Sequence, residues 1–199
     1  MRSAVPFVGL TGGMGAGKST ALNALRELGA EVISSDDVVH ELYESPEVVG
    51  ALRERFGPEV APGGTVDRPE LARRVFATPE DRAWLEEVVW PLVGQRISAW
   101  LEHARSLQPP PRAAVVEVPL LFEAGLQDGY DATIAVLADE SLRRSRAAAR
   151  GQVLLDERDA RQLGQHEKAA RATFVVHNDG TEQDLARQLS EVLDKLDRR

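Results

Sequence analysis

Cysteine is absent from the 199-residue chain, which excludes a disulfide framework, a thiol nucleophile and any Cys-based zinc or iron–sulfur centre. Histidine occurs only at positions 40, 103, 166 and 177, without the spacing that would pair any of them as metal ligands. Aromatic residues make up 5% of the chain, and lysine stands only at 18, 168 and 195. Basic charge is in deficit, 24 Lys plus Arg against 32 Asp plus Glu, for a net charge of −8. This argues against a basic sheath for long nucleic acid, so a small anionic ligand needs a focused local site. Long apolar runs are missing too: the opening MRSAVPFVGLTGG breaks into glycines, so neither a secretory leader nor a membrane span is expected, and the expected compartment is the cytoplasm. What remains, 43% hydrophobic and 28% charged residues, suffices for one compact domain, alone or with an appended lobe.

Residues 4–10, AVPFVGL, form a short apolar run ending at glycines, the pattern of a buried strand. Ala21, Leu22, Ala24, Leu25 and Leu28 then recur at helical spacing until Gly29 stops the helix. With AEVIS at 30–34 as a second strand, the chain opens on a βαβ unit with parallel strands and a right-handed crossover. Helical patterns follow at 37–43, 47–56, 68–76 and 79–107, the last expected to bend or break at Pro91. Trp84, Trp90 and Trp100 lie on that stretch and are expected in the core of a helical, substrate-binding lobe. The rigid QPPP of 108–111 returns the chain to the sheet. Strands are expected again at 113–118, 132–137 and 173–177, with helices at 141–150, 155–171 and 182–196. Five apolar runs alternating with helices imply an α/β fold of three layers, α/β/α, around a five-stranded parallel sheet covered on both faces. The expected organisation of the 199 residues is a single domain: a core of about 1–36, 112–140 and 172–199, a lobe over 37–111 and a lid over 141–171.

Between the first strand and helix, Gly12-Gly13-Met14-Gly15-Ala16-Gly17-Lys18-Ser19 fits G-x-x-x-x-G-K-[ST]. Glycines let successive amides turn inward around a polyphosphate, and the helix N-terminus adds partial positive charge. Lys18 then faces the β- and γ-phosphates, Ser19 offers its hydroxyl to Mg²⁺, and the Thr20 amide reaches the α-phosphate. The pattern specifies a nucleoside triphosphate with magnesium and leaves kinase, hydrolase and switch open.

Asp36 follows the second strand at the carboxyl end of the sheet, where ligands of open α/β sheets gather. It serves either as the base that takes a proton from an acceptor hydroxyl or as a cap of the helix beginning near Asp37. Glu117 ends the third strand, where it either holds magnesium through water or is a surface or structural acid. Arg143, Arg146 and Arg150 share one helix face, either a solvated stripe or a lid whose guanidinium groups meet the transferring phosphoryl group. His177 and Asn178 end the last strand, where they border the adenine or turn the chain into the final helix.

Taken together, VGLTGGMGAGKST at 8–20, VISSDDVVHEL at 32–42, GTVDRPELARRVF at 64–76 and VPLLFE at 118–123 resemble the dephospho-CoA kinase family, of the P-loop small-molecule kinases. Arg150-Gly151, Gln165 before Lys168 and HNDG at 177–180 extend the resemblance, in order, over nearly the whole chain. It implies a P-loop NTPase fold and a phosphotransferase that carries the γ-phosphoryl group of ATP to the 3′-hydroxyl of dephospho-CoA, giving CoA and ADP, the last step of CoA synthesis. By the resemblance, Gly12, Gly13, Gly15, Ala16, Gly17, Lys18, Ser19 and Thr20 hold ATP and magnesium, and Asp36 is the general base. Pro119, Leu120 and Leu121 line the acceptor site with Arg68 from the lobe, and Arg146 and Arg150 close over the phosphates. The implied partners are ATP and dephospho-CoA, with neither nucleic acid nor membrane, for a monomer or weak homo-oligomer. Two positions depart from the family pattern: Ser34 stands where an Asp-Ala-Asp run often begins, and Trp90 stands where His often precedes the proline.

Overall fold

A computed structural model describes residues 5–149 and 162–198. Five strands, β1 (Phe7–Gly12), β2 (Glu31–Ser34), β3 (Ala114–Glu117), β4 (Ala132–Leu137) and β5 (Phe174–His177), form one sheet in the order β2-β3-β1-β4-β5. Every pairing is parallel. The α-helices of the described residues are α1 (Lys18–Glu27), α2 (Ser35–Leu42), α3 (Pro46–Phe56), α4 (Arg68–Val75), α5 (Pro79–Ser106), α6 (Glu140–Ala149), α7 (Gln165–Arg171) and α8 (Glu182–Leu196).

The central strand shows why the sheet is covered on both faces. Val8 and Leu10 point to one side, into a fully apolar cluster with Ala21, Leu22 and Leu25 of α1 and Leu185, Leu189 and Leu193 of α8. Gly9 and Thr11, the alternate positions, point to the other side, against Leu121, Tyr130 and Lys168. Each aliphatic side chain fully buried this way contributes about 1.5–3 kcal/mol. The architecture is the three-layer parallel α/β fold that the alternating apolar runs predict. No helix of the described residues is long and apolar enough to cross a membrane.

Packing separates residues 35–100 as one compact unit from the rest of the described chain, whereas the sequence reading bounded the lobe at 37 and 111. Within that unit Val38, Leu42, Val48, Leu52, Val60, Leu71 and Val75 are buried. Phe56 packs edge-on against Trp84 at 5.4 Å, and Arg55 lies over the same indole while pairing with Asp81 at 2.9 Å.

Three expectations are corrected. Of the two outcomes expected at Pro91, a bend or a break, the break does not occur: α5 continues from Pro79 to Ser106 with Pro91 inside, since a long helix survives the loss of one hydrogen bond when its flanking turns are intact. Trp90 is not core but 58% exposed, while its neighbour Val89 takes the buried position on α5. The helix expected over 155–171 begins, in its described part, at Gln165, with Gly164 as its N-cap; residues 155–161 lie outside the described residues.

Candidate active site

The strand order puts the ends of β1 and β3 side by side, with Leu10 opposite Glu117. Onward connections leave these two strands for opposite sides of the sheet, the arrangement that opens a crevice at their carboxyl ends. The loop from Gly12 to Lys18 begins there. α1 starts directly after it with Gly17 as N-cap, no side chain capping its first turn and no acidic residue within it. An N-terminus left without a cap or a carboxylate keeps its amides and dipole for an external anion, so the loop fits a polyphosphate. Lys18 curls back toward the loop, its Nζ 3.4 Å from the Gly13 carbonyl and 3.9 Å from Glu117 Oε1.

Two side chains from outside the motif hold the loop in shape. Asn178, buried at the end of β5, donates its Nδ2 hydrogen to the Ala16 carbonyl at 3.0 Å. Its own carbonyl accepts both Nη1 and Nη2 of Arg146 at 3.1 Å. From α6, Arg143 Nε donates to the Met14 carbonyl at 2.8 Å, laying the guanidinium over Gly13. A side chain at Gly13 would meet that guanidinium at 2.8 Å, and one at Gly17 would collide with the Asn178 amide. Gly17 also has φ +92°, a left-handed conformation that penalises any residue with a Cβ. These glycines therefore answer to protein neighbours in their own right.

Glu117 is buried at the end of β3, in register with Ser34 of β2. Ser34, the residue facing it, offers a hydroxyl at that register position and not a second carboxylate. Ser19 and Glu117 supply hard oxygen donors suited to magnesium. Among the described residues no cluster of three His, Cys, Asp or Glu could hold a metal by itself; a magnesium ion that keeps waters and phosphate oxygens needs no such cluster.

The segment after β3 is pinned to the sheet. The Val118 amide donates to the Leu10 carbonyl at 2.8 Å, and Thr11 Oγ1 donates to the Pro119 carbonyl at 3.2 Å. Of the three residues expected at the acceptor, Leu121 is fully buried against Gly9, Pro119 is half-buried and Leu120 is exposed, at 41%.

In the unit of residues 35–100, α2 begins at Ser35, which places Asp36 inside its first turn as an exposed carboxylate. α4 begins at Arg68, also exposed, after Asp67 caps the helix by accepting from the Glu70 amide at 3.0 Å. Burial pushes the Tyr43 phenol above its ordinary range, partly offset by the nearby Arg68 guanidinium. Arg150 lies outside the described residues.

Sequence reasoning marked Arg143 only as part of a basic stripe and missed it as a brace. It treated Lys168 as a motif position without a task. The only available signal was their spacing, three residues before Arg146 and three after Gln165.

Comparison with known proteins bears on the same residues. The family model for dephospho-CoA kinase matches residues 6–184. A dephospho-CoA kinase from Deinococcus radiodurans is 44% identical over 193 residues, covering 96% of this chain and 92% of that protein. The crystal structure of TT1252 from Thermus thermophilus superposes with a TM-score of 0.82 at 36% identity, over 98% of this chain and 99% of that one. A dephospho-CoA kinase from Campylobacter jejuni shares the fold at a TM-score of 0.66 and 22% identity, over 99% and 100% of the two chains. With phosphate loop, helical segments and strand ends all inside the matched span, the chain belongs to the dephospho-CoA kinase family.

Proposed function

We propose that this protein transfers the γ-phosphoryl group of ATP to the 3′-hydroxyl of dephospho-CoA, giving CoA and ADP. The observation that carries this reading is the family match over residues 6–184, which takes in both the phosphate loop and the segments assigned to the acceptor. The open N-terminus of α1 supports the nucleotide half of the reaction, because its uncapped amides and Lys18 suit the charge of a triphosphate.

Gly12 to Thr20 bind the triphosphate, and Lys18 exchanges its contact with Glu117 for the β- and γ-phosphates. Ser19 and, through water, Glu117 would hold magnesium, which would spread the negative charge of the transferring group. Asp36 accepts the proton of the ribose hydroxyl as its oxygen bonds to the γ-phosphorus and the bond to the β,γ-bridging oxygen breaks. Arg68 and Leu120 hold the acceptor. Arg146 and Arg150 close over the phosphates and exclude water, which would otherwise take the phosphoryl group.

ADP release from ATP and Mg²⁺, followed with and without dephospho-CoA, tests the assignment. Turnover should depend on the acceptor, and Asp36→Asn should lower kcat by about 10²–10⁴-fold while ATP binding persists. Absence of stimulation in folded, ATP-binding protein overturns the acceptor assignment; stimulation undiminished in Asp36→Asn removes Asp36 as the base.

A further inference from the structure

Lys168 is fully buried, at 0% exposure, in a chain that otherwise uses arginine for nearly all its 24 basic residues. Its ammonium group has three N–H donors and meets three acceptors: Glu123 Oε1 at 2.7 Å, the Pro119 carbonyl at 2.9 Å and Thr11 Oγ1 at 3.4 Å. A planar guanidinium fork could not point to these three directions from a site closed to solvent. Thr11 donates in turn to the same Pro119 carbonyl, so both lone pairs of that oxygen are engaged. Glu123 Oε1 also accepts from the Leu163 amide at 2.8 Å, and the Gln165 side chain brackets Ala138 through its amide at 2.9 Å and its carbonyl at 2.8 Å. One ammonium group thus ties β1, the turn after β3 and the N-terminal end of α7 together.

Stability alone accounts poorly for this arrangement. A buried ion pair is often no more stabilising than apolar residues of the same volume, and Glu123 Oε2 is left buried without a hydrogen-bond partner among the described residues. What the cluster does achieve is a single position for the Pro119 carbonyl, and hence for Leu120 beside it.

We propose that Lys168 is a positioning residue for the acceptor: through Pro119 it holds the Leu120 segment in the orientation that receives dephospho-CoA. This rests on the reading of that segment as acceptor-binding.

The test uses the full chain and dephospho-CoA. Lys168→Met combined with Glu123→Gln removes the ion pair without leaving an unpaired buried carboxylate. Thr11→Val removes one of the two donors to Pro119 with little change of shape and serves where the double variant does not fold. Leu120→Ala tests the underlying reading separately. Either cluster variant should raise the KM for dephospho-CoA by about tenfold or more, since a misplacement of roughly 1 Å costs up to about 10²-fold. The Kd for ATP should stay within about twofold of wild type, a split that general loosening of the fold would not produce. Unchanged acceptor KM in the cluster variants, or equal weakening of ATP and acceptor, with Leu120→Ala impaired, overturns the role of Lys168 alone. Unchanged acceptor KM in Leu120→Ala overturns the segment assignment and the inference with it.

Discussion

Of the three lysines in this chain, Lys18 stands at the glycine loop and Lys168 in the buried cluster, whereas Lys195 lies exposed on α8. In the buried cluster the reason for lysine is shape: a compact ammonium fits where a wide planar fork does not. Asn178 has a comparable structural duty, since its amide holds the Ala16 carbonyl and its backbone oxygen holds Arg146. Asn178→Ala should therefore cost about 1 kcal/mol of stability, the usual worth of one such hydrogen bond. It should also raise the KM for ATP several-fold, about 3–10-fold if the loss falls wholly on the loop. Thermal melting and initial-rate kinetics at varied ATP check both.

Helix ends show where short motifs acquire two meanings. In the GTVDR segment, Asp67 is the N-cap of α4 and Arg68 its first residue, so a family-specific string is also a helix start. One turn further, Glu70 accepts from Arg73 at 2.6 Å and from Arg74 at 2.8 Å, which holds its carboxyl at about 2 against an ordinary 4.5. A depressed carboxyl pKa contributes stability that is complete above the ordinary value and is lost as pH falls toward the folded one. The lobe should accordingly lose stability as pH falls from 4.5 toward about 2, and Glu70→Gln should flatten that decline. Urea midpoints at about pH 6 and about pH 3 measure it, with equal declines in both proteins counting against the pairing.

The proposed nucleotide site is a loop that continues directly from the central strand, so ligand and fold should be linked. At a hundredfold excess over Kd, a ligand that binds only the folded state stabilises by about 2.7 kcal/mol. For a chain of this length that corresponds to a rise in Tm of about 5–10 °C. ATP with Mg²⁺ should produce such a rise in the wild type and little or none in Lys18→Ala, as read by differential scanning fluorimetry. A full shift in Lys18→Ala would show that the lysine adds nothing to nucleotide affinity.

Much of this was legible from local pattern. Alternating apolar runs announce parallel strands and helices because a strand buried on both faces must be apolar along its length. The glycine loop is equally local, since the motif is carried by consecutive residues. The sequence alone therefore determined most of the elements, their parallel sense and the glycine loop with its lysine. Only the tertiary structure decided the strand order, which inserts β3 between β1 and β2 and brings Glu117 opposite both Leu10 and Ser34. It also decided the braces on the loop, Asn178 reaching back 162 positions to Ala16 and Arg143 reaching back 129 to Met14. Lys168 meets Thr11 across 157 positions. Such contacts leave no periodicity behind, because a buried polar group is satisfied by whatever donor or acceptor the packed chain delivers to it, however distant in sequence.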